Sequence, residues 1–134
     1  MTVRLDKRKL QQMRQNLPNV GGEFERAVAT EVTSDIVLSF GSSPPGETYL
    51  RGGVAHVASS PGFPPNVDTG ALRASIRWAM TGPMAAVVHD GVEYGKHLEI
   101  GTENMAPRPF FTLVFIDWQH NKFVPFARQF GLFR

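Results

Sequence analysis

The chain has 134 residues, of which 42% are apolar, and its formal net charge is +2. This length argues for a single domain, residues 1–134, and the apolar share is enough for one modest core. No run of about 18 apolar residues occurs, so no membrane span is expected, and the charged start does not fit a secretory signal. The absence of cysteine excludes disulfides and thiolate metal sites and favours an intracellular site of folding.

The first segment of the chain is basic and is predicted to be helical. Over residues 5–17, Leu10, Met13 and Leu17 fall on one face of an amphipathic helix. Its cations are a candidate contact for nucleic acid or for an acidic protein surface, and a solvated helix face is the alternative. The candidate contact residues are Arg4, Lys7, Arg8, Lys9 and Arg14.

The stretch "LPNVGG" (17–22) predicts the end of this helix, because proline and paired glycine interrupt helices. A second helix is predicted over residues 23–40, where apolar side chains recur every four residues and form one ridge. The ridge consists of Phe24, Val28, Val32, Ile36 and Phe40.

Residues 41–67 contain five prolines and five glycines and follow no regular period. A segment of this kind inside a compact domain is predicted to be a long loop or arm, which is either functional or a flexible insertion. Within it, "VAHVAS" (54–59) is a short extended piece that could form part of a hairpin arm.

The stretch "NVDTGALRASI" (66–76) contains Asp-Thr-Gly, the active-site triplet of aspartic proteases. Those enzymes pair two such aspartates, so a single copy would require a homodimer. The three prolines of "PGFPPNV" before the triplet do not suit a ladder strand, and "ALRASIRWA" after it has helical periodicity. The pattern therefore predicts a helix over residues 68–80, with Asp68 or Thr69 as N-cap and Gly70 easing the turn.

Residues 85–102 are predicted to form a β-hairpin, with "AAVVHDG" (85–91) as one strand and "VEYGKHLEIGT" (92–102) as its partner. In that arrangement His97 and Glu99 would share one side of a strand, with His89 across the turn. No ligand-spacing signature accompanies them, so no metal site and no cofactor are predicted.

Residues 110–130 are predicted to form a helix with a kink or break near Pro125, which either completes the core or offers a subunit interface. The expected fold is α+β: an antiparallel sheet packed with N-terminal, middle and C-terminal helices, and a long Pro/Gly-rich loop. The candidate interface residues are Pro44, Pro45, Tyr49, His56, Phe63, Phe111, Phe115, Trp118, Phe126 and Phe130.

Three stretches, "HVASSPGFPPNVDTGALRASI" (56–76), "VEYGKHLEIGT" (92–102) and "MAPRPFF" (105–111), resemble in order the tail-completion, or neck, family of tailed bacteriophages. That family shows a proline–glycine loop before Asp-Thr-Gly-x-Leu-x-x-Ser-Ile, then Tyr-Ala-x-x-x-Glu-Phe-Gly-Thr, then an Ala-x-Pro-Phe stretch that opens the last helix. Gly95 and Ile100 depart from the usual alanine and aromatic residue. The main matched residues are Asp68, Thr69, Gly70, Glu99, Gly101 and Thr102.

The resemblance implies a structural virion protein of the head–tail junction, assembled in the host cytoplasm and without catalysis or cofactor. The expected partners are further copies in a ring, expected to be a hexamer, the head connector or head-closure protein, and the tail tube or tail terminator protein. DNA in the channel is a further partner for the basic segment, and no membrane contact is expected. The alternatives are another minor virion component, such as a tail terminator or minor capsid protein, and a small hydrolase that uses Asp68 or His97 with Glu99.

Overall fold

The computed structural model describes residues 7–132, and between residues 7 and 18 only the side chains of Arg8, Gln11 and Gln15. The fold class is α+β, as predicted, but the expected sheet is two separate antiparallel hairpins, β1–β2 and β3–β4. The elements in chain order are α1 (Lys7–Ser39), β1 (Pro45–Arg51), β2 (Val54–Ser59), α2 (Ala71–Ser75), β3 (Arg77–Gly82), β4 (Ala85–His89), α3 (Gly95–Ile100), α4 (Phe111–Asp117), a π-helical turn (Trp118–Lys122) and α5 (Phe123–Gln129).

Helix α1 runs without interruption through "LPNVGG", so the prediction of two helices separated at residues 17–22 was wrong. The two glycines have a packing role instead. A Cβ added to Gly21 would lie 2.6 Å from Cε of Met84, and one added to Gly22 would lie 2.7 Å from the carbonyl oxygen of Pro83. At Gly22 the turn of the β3–β4 hairpin therefore approaches α1 at a distance that only glycine permits, whereas at Gly21 the contact is with a flexible methionine side chain.

The core forms around the predicted ridge of α1. Ile36 and Phe110 are fully buried, and Trp118 is 6% exposed. The ridge is confirmed as the side of α1 that the rest of the chain covers, because four of its five residues are buried. The buried core cluster comprises Val32, Ile36, Phe40, Leu72, Ile76, Phe110 and Trp118.

The predicted helix over residues 68–80 is a single short helix, α2, followed directly by strand β3. Trp78 and Met80 are half-buried, whereas Arg77 and Ala79 are exposed. This alternation has the two-residue period of a strand, and it was mistaken for the continuation of a helical face. Of the predicted helical face of Leu72, Ile76 and Ala79, the first two enter the core, but Ala79 is an exposed residue of β3.

Strand β4 is confirmed, but its predicted partner was wrong. It pairs backwards with β3, with Trp78 opposite Val88, through a turn at residues 83–84. Residues 95–100 form helix α3 rather than a strand, so Asp90-Gly91 is not a hairpin turn.

The aromatic C-terminal segment is helical, as predicted, and its irregularity lies just before Pro125. An α-helical residue 125 would donate its N–H to the carbonyl of Asn121, but proline has no N–H and its ring crowds that carbonyl. The preceding π-helical turn, in which Phe123 N–H bonds the carbonyl of Trp118, relieves this conflict. The indole N–H of Trp118 and the ammonium of Lys122 both bond Asp35 Oδ2, at 2.7 and 2.8 Å, which ties the turn to α1.

Over residues 7–132, none of the helices combines the length and the apolar character that a membrane span requires.

Candidate functional site

The three stretches that carry the family resemblance meet in one place, which we name the motif joint: residues 59–62, 98–102 and 105–112. Gly62 N–H bonds the carbonyl of Pro107 at 2.9 Å, and Arg108 N–H bonds the carbonyl of Leu98 at 2.6 Å. The Arg108 Nε–H also donates to the carbonyl of Ser59 at 3.2 Å, and Ser59 is 1% exposed. These bonds hold loop backbones that lie far apart in the sequence.

Glu99 is the centre of the motif joint, because its carboxylate receives the free N–H groups at the start of α4. Oε2 accepts from Phe110 N–H at 2.8 Å and from Phe111 N–H at 3.0 Å, and Oε1 accepts from Thr112 N–H at 2.8 Å and from the Thr112 hydroxyl. Burial raises the pKa of Glu99, but the hydrogen bonds from Thr112, Phe110 and Phe111 outweigh it and leave the pKa lowered. Glu99 thus caps a helix from another element of the fold.

The backbone geometry explains why glycine occupies the first position of the Gly101-Thr102 pair. Gly101 has φ +78°, and a Cβ there would lie 2.8 Å from the carbonyl oxygen of Met105 and 2.9 Å from Cδ of Pro107. Thr102 and Met105 exchange backbone hydrogen bonds of 2.8 and 3.3 Å. Only glycine allows the chain to fold back this closely after α3.

Gly95, where the family usually has alanine, also lies in a crowded place. A Cβ at this position would lie 1.5 Å from Oδ2 of Asp90, and that oxygen is buried without a hydrogen-bond partner. In this chain the Asp90 side chain occupies the space of the missing methyl group, so an alanine at residue 95 would require the Asp90 side chain to move.

Asp68 is not a helix cap, which corrects the prediction for "NVDTG". The N-cap position of α2 is Gly70, with φ +82°, and no side chain caps the helix. Thr69 Oγ1 makes only a 3.4 Å contact with Ala71 N–H. Asp68 turns instead toward the β1–β2 hairpin, where Oδ2 pairs with Arg51 and Oδ1 lies 3.0 Å from Nε2 of His56.

Within residues 41–67, residues 45–59 form an antiparallel hairpin, β1–β2. The extended piece at 54–59 is confirmed as a strand, and β1 is a partner that the sequence argument missed. Gly52 and Gly53 have φ +56° and +81°, as a two-residue type I′ turn requires. A Gly-Gly pair between "TYLR" and "VAHV" is a hairpin signal that the proline content obscured.

The base of the β1–β2 hairpin is held by polar bonds. Ser60 donates its N–H to the carbonyl of Pro44 at 2.8 Å and its hydroxyl to the carbonyl of Pro45 at 3.0 Å. Ser43 Oγ–H bonds the carbonyl of Pro64 at 2.7 Å. The hairpin therefore leaves the motif joint in one defined direction.

The two faces of the hairpin differ. The inner face, with Tyr49 and Arg51, covers a cavity of about 460 Å³ that also has Asp68 and Leu72 in its wall. The outer face carries Leu50, Ala55 and Val57 beside Thr48; Leu50 is 75% exposed and Val57 is 47% exposed. An exposed aliphatic face on a two-stranded arm is a candidate contact surface.

The candidate interface residues separate into two groups. Trp118 is buried, so the prediction that it is an interface residue was wrong. Phe111 and Phe126 are half-buried against the core, and their place in an interface stays a prediction. Trp118 and Phe126 pack edge to face, with their ring centroids 5.4 Å apart, so both aromatic rings contribute to the core. His56 is half-buried beside Asp68. The residues that remain exposed are Pro44, Pro45, Tyr49, Phe63, Phe115 and Phe130.

The basic segment lies mostly outside the described residues. Arg4 precedes them, and for Lys7, Lys9 and Arg14 the structure gives a helical backbone but not the side chains. Arg8 is exposed on α1.

The proposed grouping of His89, His97 and Glu99 does not form. Residues 97 and 99 lie on a helix rather than a strand, so a spacing of two directs them apart. The oxygens of Glu99 are occupied by the start of α4. Within residues 7–132, no cluster of three His, Asp or Glu side chains is placed to hold a metal ion.

Searches of protein families, of curated proteins and of solved structures find nothing that matches this chain.

Proposed function

We propose that this chain is a structural virion protein of the head–tail junction of a tailed bacteriophage, assembled as a homo-oligomeric ring between the head connector and the tail. The observation that carries the proposal is the motif joint. The stretches that resemble the neck family hold one another through backbone bonds, and an exposed hairpin extends from them. A rigid base with an exposed arm suits a protein that joins others.

The motif carboxylates support a structural rather than a chemical role. Both carboxylate oxygens of Glu99 accept hydrogen bonds from the start of α4, and Asp68 faces Arg51 and His56. A carboxylate that acts as a general base must reach a proton of its substrate. Glu99 is engaged through both oxygens, whereas Asp68 is engaged through Oδ2 and its Oδ1 is buried without a hydrogen-bond partner. In the proposal, Asp68 orients the arm and Glu99 holds the last helix.

The surfaces for assembly are the outer face of the β1–β2 hairpin and the exposed side of the C-terminal helices. A ring closes through two different surfaces on each copy, because head-to-tail contacts are heterologous. The second surface includes Phe115, Ile116 and Val124, which are 46%, 49% and 46% exposed. In this proposal the N-terminal basic segment meets an acidic neighbour or the DNA in the channel.

The test is the joining of heads to tails in vitro, with both purified from particles that lack this protein. Leu50→Glu places a charge on the outer face of the arm, and we expect it to lower joining about tenfold or more, since a charge buried in an interface is costly. The matched control is Leu38→Glu, because Leu38 is 66% exposed, as Leu50 is 75% exposed, but lies on α1, which carries neither of the two proposed surfaces. Equal joining by both variants would show that the outer face of the β1–β2 hairpin is not an assembly surface.

The Asp68→Asn protein distinguishes the joining function from the alternative of a hydrolase that uses Asp68. This change removes carboxylate acid–base chemistry, while the amide oxygen can still accept from Arg51. A joining protein should therefore keep most of its joining activity, whereas a hydrolase would lose its turnover. Electron microscopy of labelled protein at the neck, rather than at the far end of the tail tube or in the capsid, separates the other virion roles.

A further inference from the structure

The cavity beneath the β1–β2 hairpin has an apolar floor. Its volume of about 460 Å³ lies within the range of small-ligand sites. Phe40 and Leu72 belong to its lining and are each 7% exposed, and Leu98 and Met105, also in the lining, are half-buried. These four side chains form a floor on which an apolar side chain of a ligand can lie.

Arg108 offers free hydrogen-bond donors in the lining of this cavity. Its side chain is half-buried, and its Nε–H is held by the carbonyl of Ser59 at 3.2 Å. Over residues 7–132, its guanidinium forms no ion pair, and its two Nη groups make no hydrogen bond. A guanidinium presents its N–H groups as a planar fork that matches a carboxylate in geometry and charge. A half-buried cation without a counter-charge therefore favours a carboxylate ligand.

The other charged side chains of the lining leave this preference in place. Arg51 and Asp68 pair with each other. Arg73 and Glu47 are both exposed, and neither forms an ion pair within the part of the chain that the structure describes. The lining thus holds three arginines and two carboxylates, and its formal charge favours an anion.

We infer that this cavity binds a segment of a partner protein in which a carboxylate stands next to an apolar side chain. The carboxylate meets the Nη groups of Arg108, and the apolar side chain lies on the floor. Tyr49 and Tyr94 line the same cavity and are each 45% exposed, and tyrosine is enriched where proteins bind one another. The inference rests on the proposed joining function, which requires contacts with other virion proteins, and it adds the chemistry of one such contact.

The preference for a carboxylate is tested with N-acetyl-phenylalanine, which carries one carboxylate beside one apolar side chain. The amide of the same compound is the matched neutral control. In calorimetric titration we expect a Kd of about 1 mM for the acid, as its small size allows, and binding of the amide about tenfold weaker or less. Arg108→Gln should remove this difference, because the fork is lost. Equal binding of acid and amide to the wild-type chain would overturn the inference.

The position of the site is tested by a second pair of variants, because Arg108→Gln also removes the bond to Ser59. Ala58→Phe places a ring in the cavity from the inner face of β2, whereas Ala55→Phe places the same ring on the outer face. We expect Ala58→Phe to weaken binding of the acid about tenfold or more, and Ala55→Phe to change it less than about threefold. Equal binding of the acid by these two proteins would show that it does not bind in this cavity.

Inhibition of joining distinguishes a partner segment from a free small acid. The acid should inhibit the joining of heads to tails at concentrations near its Kd, and the amide should not inhibit at the same concentrations. Binding without inhibition would show that the cavity takes a free carboxylic acid and would contradict the inference. A wild-type chain that binds the acid but joins no heads to tails would refute the proposed neck function and leave the carboxylate site standing.

Discussion

At the scale of single residues, Glu99 and Asp68 show how far sequence reasoning reaches. Both were selected from the sequence as motif residues, but their partners were not. Glu99 bonds residues 110–112, and Asp68 pairs with Arg51, 17 positions away. Capping rules predict that a carboxylate just before a helix bonds the N–H groups of that helix. They use sequence neighbours alone, so they cannot predict a bond to an element that comes close only in the folded chain.

Glu99→Gln should destabilise the fold by about 1–2 kcal/mol at pH 7, the usual effect of losing a good helix cap. The loss should shrink on acidification. Because folding lowers the pKa of Glu99 below its ordinary 4.5, its stabilisation is complete above that value and is lost as pH falls through the folded-state pKa. Urea unfolding followed at pH 7 and at about pH 3 measures both effects.

The control for this prediction is Glu103→Gln, because Glu103 is exposed and makes no described hydrogen bond. It should leave the free energy of unfolding within about 0.5 kcal/mol of the wild type at both pH values. A Glu99→Gln protein with the wild-type pH dependence would show that the capping bonds do not depend on the charge.

At the scale of elements, the predictions held where one regular period continued for many residues. The ridge of α1 repeats over five turns, and the C-terminal helix is long and aromatic, so both were found. Of the short elements, β2 and β4 were predicted, but β1, β3 and α3 were not, and α2 was predicted too long. Helix α2 has five residues and β3 has six, and such short runs fit a helical or a strand period equally well until the tertiary contacts decide.

Gly22→Ala tests why α1 continues through its glycines. Alanine favours a helix by about 1 kcal/mol, but its Cβ would lie 2.7 Å from a backbone oxygen of Pro83 that cannot easily move. We expect a net loss of about 1–3 kcal/mol in urea unfolding. The matched control is Gly21→Ala, whose Cβ meets only the flexible end of Met84 and should be nearly neutral or stabilising. A stabilised Gly22→Ala protein would show that this contact is not tight.

At the scale of the whole molecule, the α+β class followed from the sequence, but the arrangement of two separate hairpins did not. The β3–β4 hairpin packs its turn on α1, whereas the β1–β2 hairpin stands on the motif joint. The residues of the core cluster all lie outside residues 45–59. The molecule is thus a helical core with one strand pair built into it and another that extends from it.

This division predicts that the β1–β2 hairpin can be removed without unfolding the chain. Pro45 and Ser59 are paired neighbours, so two glycines can replace residues 46–58 and leave the bonds of Ser60 and Arg108 at the base intact. Asp68 then loses both partners but also becomes open to water, so its uncompensated charge should cost little. We expect a free energy of unfolding within about 1 kcal/mol of the wild type and no joining of heads to tails.

The control keeps the hairpin and changes only its turn. Gly52→Asn should preserve both stability and joining, because asparagine tolerates the left-handed conformation that Gly52 adopts at φ +56°. Near-ultraviolet circular dichroism of the two tryptophans, Trp118 buried beside Asp35 and Trp78 half-buried on β3, reports whether the core survives in both proteins. Joining by the shortened chain would show that the arm is dispensable. Loss of the tryptophan signal in the shortened chain would show instead that the core needs the hairpin. A loss of joining could then be due to unfolding rather than to the missing arm.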